Sequence, residues 1–243
     1  MASSSKIEWT DTTWNPVTGC TKVSHGCKHC YAERMADRLK AMKAEKYANG
    51  FQVTVHASTL NDPLKWKTPR LVFVNSMSDL FHEDVAPSFI QSVFRTMNLA
   101  EQHIFQVLTK RPARVLELND KLDWTPNVWL GTSIESMRWI DRLNLLKLTS
   151  AKIKFLSLEP LLGPLPSLQL DEIDWVIVGG ESGPGARKMR GSWVREIRDR
   201  CVECNVPFFF KQWGGVFKKR HGRTLDNRTW DQMPMYASEL RTI

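Results

Sequence analysis

Six continuous apolar runs, separated by helical or polar stretches, restrict this chain more than any other feature. They occupy residues 71–75, 103–108, 128–131, 153–156, 174–178 and 206–210. Runs of this kind lack polar alternation, as strands buried on both faces do. Between them lie stretches of helical period. Pro87 precedes Phe89, Ile90, Val93, Phe94 and Met97; Val115 and Leu116 mark a shorter helix. Ile140, Leu143 and Leu146 share one face, and residues 193–202 read as a further helix. Strands of one kind alternating with helices predict an α/β fold, a partial (β/α) barrel of about six parallel strands or an open sheet. At 243 residues and 42% hydrophobic content, the chain suits one large domain. We expect that domain over residues 1–217. Residues 218–243 are polar and weakly patterned, and are expected as a tail packing loosely on the barrel or partly fraying. No apolar run reaches the length of a membrane span. The start of the chain lacks an apolar signal region, so a cytoplasmic location and no membrane partner are expected.

Each apolar run ends in a polar or glycine-rich cluster. These are Ser76-Met77-Ser78-Asp79, Thr109-Lys110-Arg111-Pro112, Thr132-Ser133-Ile134-Glu135, Glu159-Pro160, the glycine frame Gly179-Gly180-Glu181-Ser182-Gly183, and Lys211-Gln212-Trp213. In parallel barrels that edge is where ligands bind. Glu159, Glu181 and Lys211 are therefore candidates for substrate contact. Asp79 is another, with capping of the following helix as its alternative. His82 is a candidate acid/base or hydrogen-atom relay; His56 and His103 read as packing or surface residues. Trp9, Trp14, Trp66 and Trp213 lie beside polar residues, where an indole can stack on a base or simply pack. The net charge of +8 favours a polyanionic partner, with nucleic acid foremost. Arg187, Lys188 and Arg190 form a small basic cluster suited to phosphate or to a solvated loop.

Three of the five cysteines, Cys20, Cys27 and Cys30, fall in one short stretch with Pro16, Gly19 and Gly26 around it. In a reducing compartment clustered thiols read as metal ligands rather than a disulfide framework. Three thiolates can hold a cubane iron–sulfur cluster and leave one iron open. His25 or His29 as a fourth ligand would instead make a zinc site, and buried inert thiols are the third possibility. Residues 31–47 then turn helical, with Ala32, Met35, Ala36, Leu39 and Met42 on one face. Cys201 and Cys204 share a helix face with Val194 and Ile197, which favours a structural role over a ligand pair.

The loop at 19–31 resembles the cluster loop of radical S-adenosylmethionine enzymes. It keeps their two-residue gap between Cys27 and Cys30 and widens the gap after Cys20 to six residues. Tyr31 after Cys30, the Ser76–Asp79 cluster, Thr109-Lys110 and Thr132-Ser133 resemble the spore photoproduct lyase branch. From Trp14-Asn15-Pro16 to residues 208–214, the chain is also similar to a bacterial and bacteriophage family of phage-protein-like chains with a three-cysteine motif and unknown function. The resemblance implies that Cys20, Cys27 and Cys30 ligate a [4Fe–4S] cluster whose open iron takes S-adenosylmethionine. Reductive cleavage would give a 5′-deoxyadenosyl radical, with a flavodoxin or ferredoxin as electron donor. It further implies that Ser76 or Ser78 bonds the methionine or ribose, Lys110 pairs with the methionine carboxylate, Ser133 contacts the ribose and Tyr31 packs near the adenine. The expected substrate is a nucleic acid, DNA or RNA, or a nucleobase-like molecule. The alternatives are a non-catalytic iron–sulfur protein that binds nucleic acid and a zinc-bearing, phage-derived interaction protein.

Overall fold

A parallel sheet of seven strands frames the molecule. The computed structural model describes Ser5 and residues 7–166, 168–217 and 222–235. In chain order the strands are β1 (Thr12–Trp14), β2 (Val17–Thr18), β3 (Thr54–Val55), β4 (Leu71–Val74), β5 (Ile104–Thr109), β6 (Val128–Ser133), β7 (Ile153–Leu158), β8 (Trp175–Gly179) and β9 (Phe208–Gln212). The main sheet runs β1-β4-β5-β6-β7-β8-β9, and every neighbouring pair is parallel. The helices are α1 (Tyr31–Ala41), α2 (Pro87–Leu99), α3 (Pro112–Leu118), α4 (Asp141–Lys147) and α5 (Gly191–Glu203).

The apolar runs are continuous because both faces of the sheet are covered. Val72, Val74, Phe105, Val107, Val128, Leu130 and Val176 pack with Ile90 and Val93 of α2, Leu143 of α4 and Val194 of α5. The residues between them point the other way, as strand geometry requires. Leu71, Phe73, Trp129, Phe155, Trp175, Ile177 and Phe209 form a second cluster that also takes in Trp9. Trp175 is its hub, with ring centroids 6.1 Å from Trp9, 6.2 Å from Trp129 and 6.0 Å from Phe209, all edge-on. Trp9 is thus core and offers no face to a base. Gly131 keeps this layer closed: a Cβ there would run into the Phe155 ring.

Two local expectations change. The sheet has a seventh strand, β1, whose three residues mix threonine with tryptophan and carry no apolar run. The helix expected over 31–47 stops at Ala41, because Lys43 turns into the left-handed region at φ 57° and the Ala44 amide closes back on Leu39. Outside the main sheet, β3 pairs antiparallel with β2.

Beyond β9, β10 (Thr224–Leu225) and β11 (Arg228–Thr229) form an antiparallel hairpin. Asp226 and Asn227 sit at its tip at φ 53° and 60°, the conformation that tight hairpin turns need. Leu225 is buried, Phe210 N–H donates to the Trp230 carbonyl at 2.8 Å, and Trp175 Nε1 donates to the Gln232 carbonyl at 2.8 Å. Residues 218–221 and 236–243 of the expected tail lie outside the described residues.

Candidate functional site

The cysteine loop lies across the C-terminal edge of the sheet, fastened strand by strand. Gly19 N–H donates to the Met77 carbonyl at 3.0 Å, just past β4. Thr21 Oγ1 meets His82 Nε2 at 2.8 Å. Ser24 Oγ donates to Glu135 Oε1 at 2.6 Å, beyond β6. Gly26 rests directly on that carboxylate, and a Cβ there would collide with it. Cys30 is the N-cap of α1, and the Tyr31 hydroxyl donates to the Ser76 carbonyl. Arg34 Nη2 reaches the Ser182 carbonyl at 3.1 Å, tying α1 to the segment after β8. Cys20, Cys27 and Cys30 are all half-buried free thiols.

Several expected contact residues hold the frame itself. Asp79 is buried and accepts hydrogen bonds from Phe81 N at 3.0 Å, Thr109 Oγ1 at 2.8 Å, Lys110 N at 3.0 Å and Arg111 Nη1 at 3.3 Å. It therefore does not cap α2, whose N-cap is Ala86 without a side-chain bond. Its carboxylate clamps the end of β4 to the end of β5. His82 is buried too; its Nδ1 accepts from Asp84 N at 3.1 Å, which leaves the proton on Nε2 to donate to Thr21. Ser78 Oγ donates to the Val17 carbonyl at 2.8 Å, and Ser76 Oγ to Asn15 Oδ1 at 3.2 Å. Ser133 is buried at the end of β6. Lys110 Nζ stands 3.7 Å from Glu135 Oε1.

On the later strands the charges are paired. Lys211 Nζ bonds both oxygens of Glu159, at 2.7 and 2.9 Å. Glu181 is buried and accepts from Arg187 N at 2.9 Å, Nε at 2.8 Å and Nη2 at 2.5 Å. Burial alone would raise its pKa, but the Arg187 bonds outweigh burial and hold it below the usual carboxylate value. A depressed folded-state pKa stabilises fully above the unfolded value of about 4.3, and that stability is lost as pH falls through the folded value. Urea midpoints measured from about pH 5 to 3 should therefore fall more steeply for the wild type than for Glu181→Gln.

Among the aromatic and second cysteine candidates, Trp14 and Cys201 are buried, Trp66 and Trp213 are half-buried and Cys204 is exposed. Trp213 donates from Nε1 to the Thr224 carbonyl at 2.8 Å and packs 4.8 Å from Phe210, holding the hairpin. Trp14 is buried and donates to the Thr59 carbonyl at 2.9 Å, while Trp66 is half-buried under Arg70. His103 is buried and His56 bonds Thr18. Cys201 is in the core, where burial pushes its thiol up to about 12; Cys204 is exposed.

Three residues with no role assigned by their sequence position prove central. Glu135 is fully buried, with Arg142 Nη1 at 3.1 Å from its Oε2. Burial pushes the Arg142 guanidinium down, and Glu135 opposes that; its Cζ also lies 4.2 Å from the Trp139 ring centroid. Arg111 Nη1 lies 3.5 Å from Cys20 Sγ. Burial, and then the Asp79 carboxylate, push the Cys20 thiol up to about 11 against the pull of Arg111. An acid at a strand end and an arginine on a short helix look like surface residues, so the only signal was their nearness to strand ends.

Cys20, Cys27 and Cys30 have the ligand chemistry that a cluster site takes. Among the described residues, no three His, Cys, Asp or Glu side chains gather closely enough to hold one metal ion. His25 receives the Trp139 Nε1 proton at 3.1 Å, and His29 lies against Gly185. A cubane asks each thiolate for its own iron, and three half-buried thiols on one loop supply that.

Two solved structures share this fold. Spore photoproduct lyase complexed with dinucleoside spore photoproduct matches with a TM-score of 0.51 at 13% identity. A mutant of spore photoproduct lyase with bound AdoMet and dinucleoside spore photoproduct matches with a TM-score of 0.50 at 12% identity. In both cases the match covers 84% of this chain and 64% of the other. The chain thus has an α/β half-barrel fold resembling that of the radical S-adenosylmethionine enzyme spore photoproduct lyase. No curated protein matches it. Over residues 4–234 it matches the family described as "Protein of unknown function (DUF5131)", and it belongs to that family. Among the described residues, no helix is long and apolar enough to cross a membrane.

Proposed function

We propose that this protein is an iron–sulfur enzyme that uses S-adenosylmethionine to act on a nucleic acid or nucleobase-like substrate. The observation that carries this reading is the three-thiol loop which, with helix α1 after it, is laid over the C-terminal edge of a half-barrel and fastened to four of its strand ends. Cys20, Cys27 and Cys30 would hold three corners of a [4Fe–4S] cluster. Cluster and S-adenosylmethionine together supply, when bound, one-electron reduction and hydrogen-atom abstraction.

The chain's own part is to bind and orient. Lys110 offers a partly exposed ammonium beside the loop for a carboxylate. Tyr31 is anchored through its hydroxyl and leaves its ring exposed for an adenine. Ser76 or Ser78, just past β4, would contact the methionine or ribose, and Ser133, at the end of β6, the ribose. Glu159–Lys211 and Glu181–Arg187 line the later strand ends, where substrate would enter. The net charge of +8 and exposed Lys188 and Arg190 favour a phosphate-bearing substrate. The dinucleoside in the spore photoproduct lyase structures supports the same class.

Anaerobic reconstitution with iron and sulfide tests the reading, followed by dithionite and S-adenosylmethionine. The expected result is about four irons per chain and release of 5′-deoxyadenosine. Zinc without iron would overturn it. Iron without S-adenosylmethionine cleavage would leave a non-catalytic iron–sulfur protein.

A further inference from the structure

Arg111 enters the cysteine loop from the end of β5, and its guanidinium is held on every side. Nε donates to Glu83 Oε2 at 2.7 Å. Nη2 donates to Thr21 Oγ1 at 2.9 Å and to the Thr21 carbonyl at 3.3 Å. Nη1 donates to Asp79 Oδ2 at 3.3 Å and reaches Cys20 Sγ at 3.5 Å. The side chain is only 9% exposed. Its backbone amide is fixed by Thr109 Oγ1 at 2.9 Å, and His82 locks the same Thr21 hydroxyl from the other side. A planar guanidinium held this way cannot swing off the sulfur, and it stays charged at any physiological pH.

We propose that Arg111 is a positioning residue that sets the reduction potential of the cluster held through Cys20. The inference rests on the proposed function. Reduction adds one electron to the cluster and moves no proton; in the experiment that electron comes from dithionite. A fixed positive charge and an N–H donated to a ligand sulfur both favour the more negative, reduced state, and so raise the potential. Asp79 and Glu83 counter that charge, but loss of Arg111 would still leave the site one unit more negative and without the N–H aimed at sulfur. Cys27 and Cys30 show no such cation on sulfur among the described residues' hydrogen bonds, so the effect enters through Cys20.

The test compares wild type, Arg111→Gln and Arg111→Lys after anaerobic reconstitution. Iron content is measured first, then midpoint potential by redox titration followed in visible absorbance and electron paramagnetic resonance. Arg111→Gln should load iron but show a reduced-to-oxidised ratio about tenfold lower at the wild-type midpoint, ~59 mV for a one-electron couple. Arg111→Lys keeps the charge and should fall between the two. If only the lysine variant loads, a midpoint below wild type supports the inference. An unmoved midpoint in the loaded variant overturns it. So do two folded variants that hold no iron, since Arg111 would then be a brace for the loop. A wild type that takes up no iron overturns the proposed function and this inference with it; a loaded wild type with an unmoved variant overturns this inference alone.

Discussion

Cys27→Ala should abolish iron uptake while leaving the fold intact. The Cys27 side chain is half-buried on the loop and belongs to none of the core clusters. Among the described residues its sulfur has one hydrogen-bond partner, Ser24 Oγ at 3.6 Å. Truncation there should change the stability of the metal-free chain by no more than about 0.5 kcal/mol, as for substitutions away from cores and networks. Iron analysis, visible absorbance and a thermal melt of the same preparation separate the two effects. Cys201→Ala should do the reverse. That thiol packs in the main core with Val194 and Ile197, so its loss should cost about 1 kcal/mol and leave iron content unchanged. A Cys27→Ala chain with its full iron complement would remove Cys27 from the ligand set.

Glu135→Ala should be the most destabilising single change at the site, by about 3–5 kcal/mol in the metal-free chain. Glu135 is fully buried and faces Arg142, whose side chain is 7% exposed. Removing the carboxylate strands a buried guanidinium, and that desolvated charge dominates the cost. Ser24 loses its acceptor at the same time, so the loop over β6 loosens. The loss is a large share of the 5–15 kcal/mol typical of a whole domain. Urea denaturation of the apo-protein measures it free of any cofactor effect. Replacing both partners, Glu135→Met with Arg142→Met, should recover most of the loss, since an apolar pair leaves no buried charge behind. A cost below about 1 kcal/mol for Glu135→Ala would mean that the pair is effectively solvated.

The two predictions draw on different kinds of information. The three cysteines stand close together in sequence, and their spacing marked them as a set before any fold was known. Glu135 and Ser24 meet across 111 positions, and nothing in the local pattern of either residue signals that meeting. The same holds for Asp79, a cap-type residue on the way into the helix that Pro87 opens, which invites a capping role. Its real partners, Thr109 and Lys110, arrive only when β4 and β5 lie side by side.

By itself, the sequence determined the alternation of buried parallel strands with helices, the polar character of the strand ends and the three-thiol loop. Those features depend on short-range periodicity, turn chemistry and residue type, which act within a few positions of each other. The tertiary structure alone decided which polar side chains remain available and which are used up in holding one another. Hydrogen bonding and charge pairing in a buried site depend on partners brought together by the sheet. Buried polar groups must find such partners, and only the folded edge shows that Asp79, His82 and Glu135 found theirs in the frame of the site.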